Sequence, residues 1–158
     1  ERRDLGAEAT PPEARRARLA GTMLDVAWAL LEMRAHRDPA SDPSVLWAEI
    51  TSRYLGIAAH PELPWWALRG QLIDAPGYMT NYALGAILTE ALRDRVRFLR
   101  GADAFAAPSP ALYEWLSERL YRFGLARSSR EVVLDFLGGP LTPGPLLNAI
   151  STGRGGGP

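Results

Sequence analysis

The chain has 158 residues, 47% of them apolar and 23% charged, a size and balance that suit a globular domain and argue against general disorder. Its 18 basic and 18 acidic residues cancel, and no stretch is basic enough to form a phosphate-binding stripe, which speaks against nucleic-acid binding. There is no Cys, and every basic residue is Arg, so disulfides, thiolate metal sites, Cys nucleophiles and Lys-based Schiff-base chemistry are all excluded.

Residues 1 to 9 are polar and unpatterned and read as a flexible lead-in. Glu1-Arg2-Arg3-Asp4 has neither Met nor a signal-like apolar run, the expected look of a fragment or a processed product. Thr10-Pro11-Pro12-Glu13 combines a cap, a Pro suited to the first helical position and a Glu that can close a capping box. The helix it opens should run to about Arg37, with Leu19, Met23, Val26, Leu30 and Met33 as its apolar stripe and Ala27 and Trp28 widening that face. Asp38-Pro39 ends it. Asp42-Pro43 opens a second helix with Leu46, Trp47, Ile50, Tyr54 and Leu55 on one face, closing near Gly56. His60-Pro61-Glu62-Leu63-Pro64 is a stiff connector, and Trp65 to Ile73 has room for a short helix.

After Asp74-Ala75-Pro76-Gly77, a long helix is predicted over Tyr78 to Arg100. Leu84, Ile87, Leu88, Ala91, Leu92, Arg95 and Val96 share one side; Tyr78, Tyr82, Gly85 and Thr89 share another. Its apolar run is broken by Thr80, Asn81, Thr89 and Glu90, so it reads as a packed helix and not as a membrane span. Arg93, Arg95, Arg97 and Arg100 fall in its last turns, where the helix dipole favours cations. Ser109-Pro110 opens a helix to about Phe123, with Leu112, Trp115, Leu116, Leu120 and Phe123 inward. Ser128 or Ser129 caps a short helix ending before Gly138-Gly139-Pro140, and Thr142-Pro143 begins a last one ending near Ser151. Residues 153 to 158 are a Gly-rich tail expected to be disordered. No useful period-2 alternation exists. The fold class expected is therefore all-α, an irregular multi-helix bundle over residues 10 to 152.

Few residues can carry chemistry. His36 and His60 are the only histidines, and no His-Glu-x-x-His, Gly-x-Ser-x-Gly or phosphate-cradling Gly loop is present. The most informative segment runs from Gln71 to Gly85. There Pro76-Gly77 sets a sharp entry, and Tyr78 and Tyr82 follow one helical turn apart. Two phenols in register can donate hydrogen bonds into a cleft. Two core or rim tyrosines bonded to backbone carbonyls would show the same spacing.

At this segment the chain resembles the C-terminal part of the gluzincin zinc peptidases, the group of oligoendopeptidase F and thimet oligopeptidase, which carry Gly-Tyr-x-x-x-Tyr at a helix start. The Asp42-to-Trp47 region and Phe136-Leu137-Gly138-Gly139-Pro140-Leu141-Thr142-Pro143 with Leu146-Leu147 resemble, more loosely, flanking helices of that group. The resemblance implies that Tyr78 and Tyr82 orient a peptide substrate and stabilise its oxyanion, with Gln71, Gly77 and Asn81 beside the substrate. Gln71 stands where the family has a His, and a Gln can donate a hydrogen bond but carries no charge. The cofactor implied is zinc in a parent protein, held by an N-terminal zinc-binding segment outside this chain; none is expected to be bound by the chain alone. The partners implied are a peptide substrate and that segment, with no nucleic acid and no membrane. The competing expectation is a non-catalytic helical interaction module, anchored by Trp65, Trp66 and their neighbours.

Overall fold

A computed structural model describes residues 12–107 and 109–152. The expected cap Thr10, the lead-in and the Gly-rich tail lie outside them. The described residues are all-helical, in the order α1 Pro12–Arg37, α2 Pro43–Leu55, a 3-10 turn Trp65–Leu68, α3 Gln71–Asp74, α4 Met79–Arg100, α5 Pro110–Arg119, a 3-10 turn Tyr121–Phe123, α6 Ser129–Leu137 and α7 Gly144–Thr152. None of these helices is long and apolar enough to cross a membrane. Contacts gather in two compact units, one of Glu13–Ala86 and the other beginning at Ile87, so the boundary falls inside α4.

Most helix ends are written locally in the sequence. The Asp42 carboxylate accepts from the Ser44 N–H at 2.8 Å, and Pro43 takes the first helical position of α2. Gly56 closes the same helix. The Ser109 hydroxyl accepts from Leu112 N–H to start α5. At α6, Ser128 and Glu131 form a reciprocal capping box, which fixes Ser128 as the cap. Two expected helices are shorter than their patterns. Residues 65–73 divide into a 3-10 turn and the four-residue α3, and α5 stops at Arg119 before its own 3-10 turn. Both shortfalls follow from chain ends tightening into i→i+3 bonds, as at Arg69 to Trp66 and Gly124 to Tyr121.

In the first unit Ala27, Trp28, Leu31, Ile50 and Met79 form the buried core, with Leu24, Leu46, Trp47 and Trp66 packed against it. The face expected on α1 turns inward only in part: Ala27 and Trp28 are buried and Leu30 packs against the core, but Met23 and Met33 are exposed. Two apolar stripes at three- and four-residue spacing interleave on α1, and spacing cannot choose between them. Trp28 decides the matter by stacking on Trp47 of α2, ring centroids 3.8 Å apart and planes 19° from parallel. The Trp66 indole N–H donates to Ser44 Oγ at 3.0 Å and pins the 3-10 turn to the start of α2.

The second unit has a smaller buried set: Ala91 and Val96 of α4, Val132 and Phe136 of α6. Trp115 of α5 meets Phe136 edge-on at 5.7 Å. The arginines of α4 are used for packing as well as for the dipole. Arg97 lies over Phe105 and Arg100 over Trp115. Arg93 pairs with the buried Glu90 at 3.0 Å. Arg95 Nε donates to the Phe136 carbonyl at 3.0 Å, satisfying one of the free carbonyls at the end of α6.

Candidate functional site

The start of α4 is built around a residue of α1. Glu32 is only 2% exposed, in a helix face otherwise made of Ala27, Trp28 and Leu31. Its Oε1 accepts from the Gly77 N–H at 2.7 Å and its Oε2 from the Met79 N–H at 2.9 Å. A helix N-terminus presents backbone N–H groups without intrahelical partners and a partial positive charge. Glu32 answers both from a neighbouring helix, 45 residues from Gly77 in sequence. Burying a carboxyl group is costly unless it is hydrogen-bonded, and here each oxygen has a backbone donor.

Gly77 reaches this position with φ +88°, a left-handed conformation that a side chain resists. Its carbonyl accepts from the Thr80 hydroxyl at 2.6 Å. Met79 is fully buried in the core. With Gly77 clamped and Met79 anchored inward, the intervening Tyr78 turns outward. Tyr78 is 43% exposed and Tyr82, one turn on, is 38% exposed. Their rings meet edge-to-face at 5.6 Å. No described residue bonds either phenol hydroxyl, so both are open to a ligand from solvent.

The structure thus brings Gly77, Tyr78 and Tyr82 together. Asn81 is exposed on the first turn of α4, and its N–H bonds Tyr78 O. Gln71 is half-buried at the head of α3, with its carbonyl accepting from Ala75 N–H. Gly77 offers a ligand nothing of its N–H, which Glu32 already holds.

The preceding stretch is unusually apolar for its exposure. Trp65 is 60% exposed, Leu68 82% and Ile73 70%. Trp66, the second tryptophan of the pair, is half-buried and bonded to Ser44. A cleft of about 210 Å³ opens nearby among α1, the α1–α2 connection and Trp66, with Leu72 and Ile73 on its wall. His36 lines it too, and its Nδ1 donates to the Glu32 carbonyl at 2.8 Å, which leaves Nε2 as an acceptor when the ring is neutral. His60 is elsewhere, in an exposed pair with Glu62 at 2.9 Å. Among the described residues no group of three or more His, Asp or Glu is placed to hold a metal ion.

Sequence reasoning missed Glu32 and Met79. The signal for Glu32 was present: a carboxylate one turn beyond Trp28 and next to Leu31, inside an apolar face. Its partner, a helix start 45 residues on, carries no local mark. Comparison of the chain with protein-family models, with curated proteins and with solved structures found no match.

Proposed function

We propose that this chain is a helical binding module that receives a peptide segment of another protein along residues 65–82. The observation that supports this reading is the concentration of exposed apolar and aromatic side chains there: Trp65, Leu68, Ile73, Tyr78 and Tyr82. They stand on a backbone fixed by the Trp66–Ser44 bond and the Glu32 clamp. Aromatic side chains held rigid lose little entropy on binding, and such residues dominate interface energetics. The two free phenol hydroxyls add donors for peptide carbonyls.

Selection of peptides from a displayed library on the immobilised chain tests this. Selected peptides should bind in solution and lose about tenfold or more in affinity with Trp65→Ala or Tyr82→Ala, the loss typical of an interface anchor. Peptides that bind these variants as tightly as the parent chain would refute the assignment.

A second reading is supported by the Tyr78–Tyr82 geometry. Here the bound peptide is a substrate, and the module is the cleft wall of a zinc peptidase, as the resemblance at Gly77-Tyr78 and Tyr82 implies. A zinc-bearing segment outside these residues would supply the activated water. The Tyr78 or Tyr82 hydroxyl would donate to the developing oxyanion, worth about 3 kcal/mol where such a donor has been removed in other enzymes. The clamp sharpens this reading, because Gly77 and Met79 N–H are occupied, which leaves the donating to side chains, the two phenols among them. In a protein joining this chain to such a segment, Tyr78→Phe should lower turnover about 100-fold with little change in KM. Unchanged turnover would remove Tyr78 from the chemistry.

A further inference from the structure

The second unit contains a cleft apart from residues 65–82. It has a volume of about 350 Å³ and is lined by Arg95, Arg119, Arg127, Glu118 and Asp135. Three guanidinium groups and two carboxylates line it, and Glu131 acts on Arg127 from beside it. The pairing within the cleft shows which cation is left without a carboxylate. Arg127 and Asp135 are bonded at 2.5 Å, and that bond raises the Arg127 pKa above its ordinary range. Arg119 and Glu118 make a long contact of 3.5 Å between exposed side chains, which screens only weakly. Arg95 has no carboxylate partner among the described residues. Its Nε is committed to the Phe136 carbonyl, and its terminal nitrogens lie beside Gly138, where an added Cβ would come within 3.0 Å of Nη2.

Leu99, Phe123 and Val132 form the apolar part of the wall. We propose that this cleft binds a monoanionic carboxylate with a small apolar body. The planar guanidinium of Arg95 takes the carboxylate, Arg119 supports it from the rim, and Leu99, Phe123 and Val132 receive the apolar portion. A guanidinium fork matches a carboxylate in geometry. A single guanidinium without a carboxylate partner suits one carboxylate better than a dianionic phosphate, and the apolar wall favours an organic acid over an inorganic ion.

The test is an NMR titration of the full chain with N-acetyl-L-leucine, with its amide and with inorganic phosphate. The proposal expects saturable binding of the acid with a Kd of about 1 mM and shifts at Leu99 and Val132. The amide and phosphate should bind at least about tenfold more weakly, the loss expected when a charge-assisted pair or the apolar contact is removed. Arg119→Gln removes an exposed guanidinium and should keep the fold while weakening the acid several-fold. Arg95→Lys keeps the charge without the fork and should weaken it further. Absence of saturable binding, equal binding of acid and amide, equal binding of phosphate, or unchanged affinity in both variants would each overturn the proposal.

Discussion

Glu32 shows how one side chain can serve two elements at once. It lies in the core face of α1 and closes the N-terminus of α4. Glu32→Ala would leave the buried Met79 N–H and the part-buried Gly77 N–H without partners and should cost about 3 kcal/mol, measured by urea denaturation. Glu32→Gln keeps one good acceptor and should cost about half as much. A loss below about 0.5 kcal/mol for Glu32→Ala, the size of an ordinary surface substitution, would contradict the capping role. The exposed end of the scale is Glu62. Its carboxyl pKa is lowered first by its own backbone N–H and then by the hydrogen bond to His60. A depressed folded pKa contributes stability above the unfolded value and loses it as pH falls through the folded one. In NMR titration, Glu62 should therefore titrate below the ordinary Glu range, and His60→Ala should leave part of that depression in place. Full return to the ordinary range in His60→Ala would show that the backbone N–H contributes nothing to it. Of these residues Tyr78, Tyr82 and Gly77 were legible in sequence, because a turn and a one-turn spacing are local. Glu32 was not, because its partners are distant.

At the scale of elements, caps and stops were the most readable features. Asp42-Pro43, Ser109-Pro110 and Ser128 with Glu131 all act as their chemistry dictates. Ser128→Ala should destabilise α6 by about 1 kcal/mol, read as a fall in thermal midpoint. Gly138→Ala should cost more than that, because φ is +73° there and the new Cβ would press on Arg95. If Ser128→Ala costs more than Gly138→Ala, the Arg95 contact at the end of α6 has been overvalued. What the sequence left open was which face of α1 turns inward. Leu30 and Trp28 of the expected face do pack inward while Met23 and Met33 do not, and the stack of Trp28 on Trp47 centres the buried face on Ala27, Trp28 and Leu31. Met33→Lys should thus be tolerated within about 0.5 kcal/mol, as surface changes are, whereas Leu31→Ala should cost about 3 kcal/mol.

For the molecule as a whole, the all-helical class was plain from the lack of alternating patterns and the frequency of caps and Pro-Gly breaks. The division of contacts at Ala86 and Ile87 left no mark, since the periodicity of α4 runs through it unbroken. Function was legible only as candidates, because exposure is a tertiary property. The sequence shows that Trp65, Leu68 and Ile73 are apolar, but not that all three stay exposed beside a half-buried Trp66. Mapping a selected peptide on the chain through amide shifts in NMR will show whether residues 65–82 form the recognition surface. Changes should concentrate at Trp65, Leu68, Ile73 and Gly77 to Tyr82, saturating together. Changes centred instead on α5 or α6, or spread evenly along the chain, would contradict it.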